Sequence, residues 1–233
     1  MRIGVVGATG NIGRCVVAEA ARRGHQVTGF TRNPSEVGHD LPVAIWKGID
    51  VLDPVSVTGA ISDLDVLVST FQPGNAARDF DDTVRRSIAD PTVYVRAATA
   101  LLRGLDAHPA TRLIVVGGAG SLEIAPGVVK ADQVERMRAD LEKIGLPADY
   151  VVAVHGHRDA LNTFRLSNRL WTYLSPAEHA YPGERTGRYR TGGDQLLVDA
   201  DGHSRISYED LAFAVLDEAE LPQHVQRRFT IAY

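Results

Sequence analysis

The chain has 233 residues, 44% of them hydrophobic and 23% charged, with a formal charge of −4 at pH 7. Such a chain is long enough to bury a core without disulfides or a structural metal, and its charge excludes a basic field for nucleic acid or a polybasic membrane patch. The single cysteine, Cys15, rules out an intramolecular disulfide. With no basic and apolar leader and no run of about twenty apolar residues, a cytoplasmic protein without membrane or nucleic-acid partners is expected.

The apolar run at residues 3–6 reads as a strand, followed at once by Gly7, Ala8, Thr9, Gly10, Asn11, Ile12 and Gly13, and then by a helical pattern over residues 14–23. Strand, glycine turn and helix in this order form the context of a dinucleotide site. Gly7 serves the tight turn, Gly10 the approach of a pyrophosphate, and Gly13 the packing of helix on strand. Phosphate would sit on the free N–H groups at the helix N-terminus.

Further strands are expected at residues 26–30, 43–46, 65–69, 112–116, 170–174 and 229–232. Helices are expected from Asp53-Pro54 through Ile61, from Asp90-Pro91 through Leu105, over 130–144 and 149–164, and from a capping-box-like Ser207 through Glu220. Residues 71–90 are the least regular stretch, and 186–198 read as a hairpin. No linker or repeat divides the chain, so residues 1–233 are expected to form one Rossmann-like domain. Its fold class is α/β, a doubly wound parallel sheet with a small C-terminal extension on the substrate side.

A carboxylate that would hold ribose hydroxyls is missing about twenty residues past the glycines. The second strand ends instead in Thr31-Arg32, and a guanidinium suits a 2′-phosphate and the face of an adenine. NADP(H) is therefore expected over NAD(H), the competing reading being a solvated arginine in a turn. Asp50, closing the third strand, is either an adenine contact or a turn aspartate satisfying its own backbone.

The glycine turn GATGNIG, the Thr31–Pro34 turn TRNP and the GGAGS run of residues 117–121 together resemble a known family. So do LSPA at 174–177, PGERTG at 182–187, DQLLVD at 194–199 and SRIS at 204–207. The chain is similar to the small atypical short-chain dehydrogenase/reductases, an NAD(P)-binding, NmrA-like and NADH-flavin reductase group, with biliverdin reductase B a more distant relative. The resemblance implies a pyridine nucleotide and hydride transfer to a flavin, FMN or FAD, or to another conjugated acceptor. It also implies that Ser69, Thr70 and Phe71 line the nicotinamide-ribose side and that Gly117, Gly118 and Ser121 face the nicotinamide. Ser121 is the hydroxyl the comparison favours near that ring, and a satisfied loop serine is the other reading.

No Tyr-x-x-x-Lys pair exists: Lys47, Lys130 and Lys143 are the only lysines, and none lies four residues after a tyrosine. Protonation of a carbonyl oxygen needs a positioned acid, whereas a free flavin takes hydride at N5 and its proton from solvent. His155 and His157 fall two apart on a helix, on different sides, so no metal site is expected. His155 would face the acceptor or solvent, and His157 a core or pocket wall. Arg78, Arg85 and Arg86 meet either an anionic acceptor or, as favoured, Asp79, Asp81 and Asp82. Trp171, Tyr173 and Tyr181 are either stacking residues or core. The partner expected is a small-molecule acceptor; a sensor without turnover and a tailoring reductase with another acceptor stay open, as does the oligomeric state.

Overall fold

A computed structural model describes residues 1–37 and 40–233. In chain order its elements are β1 (Arg2–Val6), α1 (Asn11–Arg22), β2 (Gln26–Thr31), β3 (Ile45–Gly48), α2 (Pro54–Ala60), β4 (Val66–Ser69), α3 (Phe80–Ala89) and α4 (Val93–Ala107). There follow β5 (Arg112–Val116), β6 (Glu123–Ala125), β7 (Val128–Val129), α5 (Val134–Lys143), α6 (Val151–Arg165) and β8 (Trp171–Pro176). The chain closes with β9 (His179–Tyr181), β10 (Arg190–Gly192), β11 (Arg205–Ser207), α7 (Tyr208–Glu220) and β12 (Arg227–Ala232).

The main sheet has the order β10-β12-β8-β5-β4-β1-β2-β3 and is parallel except for the antiparallel edge strand β10. This is the expected doubly wound α/β fold. Its strands alternate between two cores, as a period of two demands. Ile3, Val5, Val66, Val68 and Leu174 pack with Val16, Val17 and Ala20 of α1 and Leu211, Val215 and Leu216 of α7. Val6, Leu67, Trp171 and Tyr173 turn the other way, against α2, α4 and α6. The strand order reverses between β2 and β4 about β1, and ligands of open α/β sheets bind at such a switch point.

Two expectations change. Residues 71–90 are half helical: α3 starts where the Asp79 carboxylate accepts from the Asp82 N–H at 2.8 Å. The region 186–198 is no hairpin, because β10 pairs antiparallel with β12, the last strand of the chain. A hairpin does form elsewhere, from β6 and β7, and β9 and β11 make a separate parallel pair.

Candidate functional site: the cleft at the switch point

The turn after β1 is shaped by two glycines. Gly7 takes φ +76°, a conformation open to glycine, and a Cβ on Gly13 would meet the Gly7 carbonyl oxygen at 2.0 Å. Gly10 caps α1 without a side-chain acceptor, and the first helical bond runs from the Arg14 N–H to the Gly10 carbonyl. The N–H groups of Asn11, Ile12 and Gly13 thus have no helical partner and favour an anion.

They open into a cleft of about 910 Å³ at the carboxyl ends of β1, β2 and β4. Of the residues expected to hold cofactor, Gly7, Thr9, Gly10, Asn11, Ile12, Gly13, Thr31, Arg32, Asp50, Thr70 and Phe71 all line it. Arg32 is exposed and makes no ion pair among the described residues. Asp50 lines the cleft too, yet its carboxylate accepts from the Leu52 N–H at 2.9 Å, the turn-aspartate arrangement.

Other expected residues stand apart. Ser69 is buried and lines a smaller cavity of about 30 Å³ with Phe71, Tyr94 and His157. Gly117 and Gly118 follow β5 outside the cleft lining; a Cβ on Gly117 would strike the Tyr173 hydroxyl at 2.0 Å. Ser121 is 6% exposed and held from behind: Arg228 donates to its carbonyl at 2.9 Å and to its Oγ at 3.2 Å. His155 is engaged with the Ala131 carbonyl through Nε2 at 2.9 Å. Neither candidate catalytic side chain is among the residues lining the cleft.

His157 is a wall residue: its ring packs on Tyr94 with centroids 3.9 Å apart, and burial pushes its imidazole down to about 4, so it is neutral at physiological pH. Trp171 and Tyr173 belong to the core, and Tyr181 stacks on His179. Arg85 and Arg86 pair with Asp82 at 3.3 and 2.6 Å, the local charge cluster favoured for this stretch, while Arg86 also lines the cleft. Cys15 is half-buried; burial first, then the Glu209 charge, pushes its thiol up to about 11, which leaves it an unreactive packing residue. Asp199, Asp201 and His203 bring polar atoms within 4.8 Å of one another outside the cleft, with the Asp199 carboxylate already accepting from two backbone N–H groups.

The comparisons with known proteins agree with this geometry. A family model described as NAD(P)H-binding matches residues 7–222. The chain belongs to this family. It is 36% identical to the uncharacterised protein YwnB of Bacillus subtilis, covering 99% of this chain and 98% of that one. A crystal structure from Burkholderia pseudomallei, named as a candidate exported protein, is 38% identical with a TM-score of 0.79, and each chain is covered completely. A Streptococcus pneumoniae structure named as a candidate NADH-flavin reductase is 25% identical with a TM-score of 0.79, covering 100% of this chain and 99% of that one. Binding of a nicotinamide cofactor follows for this family member. No helix among the described residues is long and apolar enough to cross a membrane.

Sequence reasoning missed Gln72, Tyr150 and Tyr208, which also line the cleft. Of the C-terminal extension, only Tyr208 is among the lining residues. Tyr150 and Tyr208 reach the cleft from the end of a short 3-10 turn and from the start of α7, where the capping box at Ser207 marks a helix start and not a ligand site.

Proposed function

We propose that the protein is an NADPH-dependent reductase that passes hydride to a flat conjugated acceptor, a free flavin such as FMN or FAD. The cofactor half rests on Arg32: the strand end beside the glycine turn carries a guanidinium free of ion pairs among the described residues, in place of a carboxylate. The bound nicotinamide supplies the hydride, and the chain supplies binding and orientation. For the acceptor half, Ser121 is held by Arg228, His155 by the Ala131 carbonyl and Lys130 by Glu178. With no Tyr-x-x-x-Lys pair in the chain, an acceptor that draws its proton from solvent suits the site better than a carbonyl that needs a positioned acid. The S. pneumoniae relative, by its name, supports the same reading.

The test is NADPH and NADH oxidation with FMN, FAD and quinones, with the cofactor affinity of Arg32→Ala measured alongside. NADPH should bind at least about tenfold more tightly than NADH, as expected of charge-assisted bonds worth about 1.5–3 kcal/mol. The variant should lose that preference while keeping its NADH affinity. Equal wild-type affinities would remove the NADP assignment. Tight NADPH binding with no oxidation by any acceptor would make the protein a nucleotide sensor, and turnover confined to a non-flavin acceptor would make it a tailoring reductase.

A further inference from the structure

Behind the part of the cleft wall that follows β4 runs a chain of polar side chains. Gln72, a half-buried cleft residue three positions beyond β4, accepts from the Tyr94 hydroxyl through Oε1 at 2.9 Å. Its amide nitrogen lies 3.4 Å from Nε2 of His157. Tyr94 is in turn 3.0 Å from the buried Ser87 hydroxyl, which donates to the Thr83 carbonyl at 2.8 Å. The His157 backbone carbonyl accepts from the Tyr173 hydroxyl at 3.0 Å, and its ring stands against Gly118 at the end of β5. Tyr94 is 4% exposed and fixed by core packing, and Tyr173, which holds the His157 backbone, is 1% exposed.

A primary amide has two N–H donors and a carbonyl with two lone pairs. The contacts with Tyr94 and His157 use one of each. One donor and one acceptor lone pair remain on a residue that lines the cleft. Their complement is a planar group with a carbonyl next to an N–H. The pyrimidine edge of a flavin has it, as does the carboxamide of nicotinamide; a quinone has carbonyls but no such donor.

We propose that Gln72, held by Tyr94 and His157, is a preset amide that recognises the imide edge of the flavin acceptor. The assignment rests on the reading of the cleft as a flavin reductase site. Because the supports are packed before ligand arrives, little ordering cost falls on binding, and a ligand lacking the matching N–H leaves a polar group unpaired.

Riboflavin and its N3-methyl derivative, which lacks the imide proton, test this by fluorescence quenching on the protein saturated with NADP⁺. Wild type should bind riboflavin at least about tenfold more tightly than the methylated compound. Gln72→Leu should bind both alike, with circular dichroism and melting used to show that it is folded. The wild-type comparison needs no variant, so it decides even if the substitution disturbs folding. Equal wild-type binding, or a preference that survives in Gln72→Leu, overturns the proposal.

The 3-acetylpyridine analogue of NADP⁺, in which a methyl replaces the carboxamide nitrogen, separates the two sources of an amide edge. If it loses affinity through Gln72 while the flavins are not distinguished, the amide reads the cofactor and the assignment to the acceptor falls. NADPH oxidation assayed in parallel distinguishes this result from failure of the reductase reading. Discrimination without turnover leaves the Gln72 site and removes the reductase; turnover without discrimination does the reverse.

Discussion

A Cβ added to Gly13 would lie 2.0 Å from the Gly7 carbonyl oxygen and 3.0 Å from the Ala8 Cα, both backbone atoms that no rotamer change can move. The same atom on Gly10 meets only the Gly7 carbonyl oxygen, at 3.2 Å, which a small shift relieves. Gly13→Ala is therefore expected to lower the melting temperature by several degrees and to weaken NADPH binding at least about tenfold, since the turn and α1 must separate. Gly10→Ala should keep its melting temperature, and a Gly13→Ala protein melting with wild type would refute the argument. This glycine requirement was readable because everything it depends on lies within seven residues. Ser121 shows the opposite case. Its loop is expected to face the nicotinamide or to hold a satisfied serine, and the group that donates to its hydroxyl oxygen is Arg228, 107 residues away. His155 likewise loses its freedom to the Ala131 carbonyl, 24 residues earlier on another element. Roles that depend on a distant partner leave no trace in local spacing.

Among the elements, α3 carries one wall of the cleft, presenting Phe80, Thr83, Arg86 and Ala89 to it. Its N-terminus depends on the Asp79 side chain, and acidic Asp81 and Asp82 in the first turn complement the helix dipole. Asp79→Ala should destabilise the protein by about 1 kcal/mol in urea unfolding. It should also raise the KM for the acceptor more than it lowers kcat, because the first turn of the helix that forms this wall frays. An unchanged KM would mean that the first turn of α3 holds without its cap. The sequence reading treated this stretch as irregular because Pro73-Gly74 and the dense charge masked the capping pattern. The strong βαβ start and the buried strands were legible from near-continuous apolar runs, and β3 was placed only two residues early. The region of β10 was misread for a different reason. Its composition is that of a strand beside turns, but its partner is β12, thirty-five residues after it, and sequence pattern does not encode that choice.

Across the whole molecule, one ion cluster ties the nucleotide-binding start of the chain to its end. Glu19 of α1 is 4% exposed and accepts from Arg22 at 2.8 Å, from Arg23 at 2.7 Å and from Arg185, just before β10, at 2.7 Å. Arg23 continues to Asp217 and Glu220 of α7 at 2.9 and 2.7 Å, and the guanidinium carbons of Arg23 and Arg185 each lie 4.5 Å from the Phe213 ring centroid. Burial by itself would raise the Glu19 pKa. The hydrogen bonds from Arg22, Arg185 and Arg23 outweigh it and hold the carboxyl far below the usual range. A carboxyl depressed in the folded state contributes stability that is present above its unfolded pKa of about 4.3 and lost as pH falls below that value. Solvent screens the half-exposed Arg22 more than it screens Arg185 or the buried Arg23. Glu19→Gln leaves these guanidinium groups facing a neutral amide in a buried place. It should therefore cost about 3 kcal/mol at pH 7, measured by urea unfolding. Below pH 4 the wild type should keep losing stability with falling pH, whereas the variant, with nothing to protonate at that position, should show a flatter acid limb. If the two proteins lose stability in parallel down to pH 2, Glu19 is not the group that couples α1 to α7. The glycine turn would then depend for its anchorage on apolar packing between those helices alone.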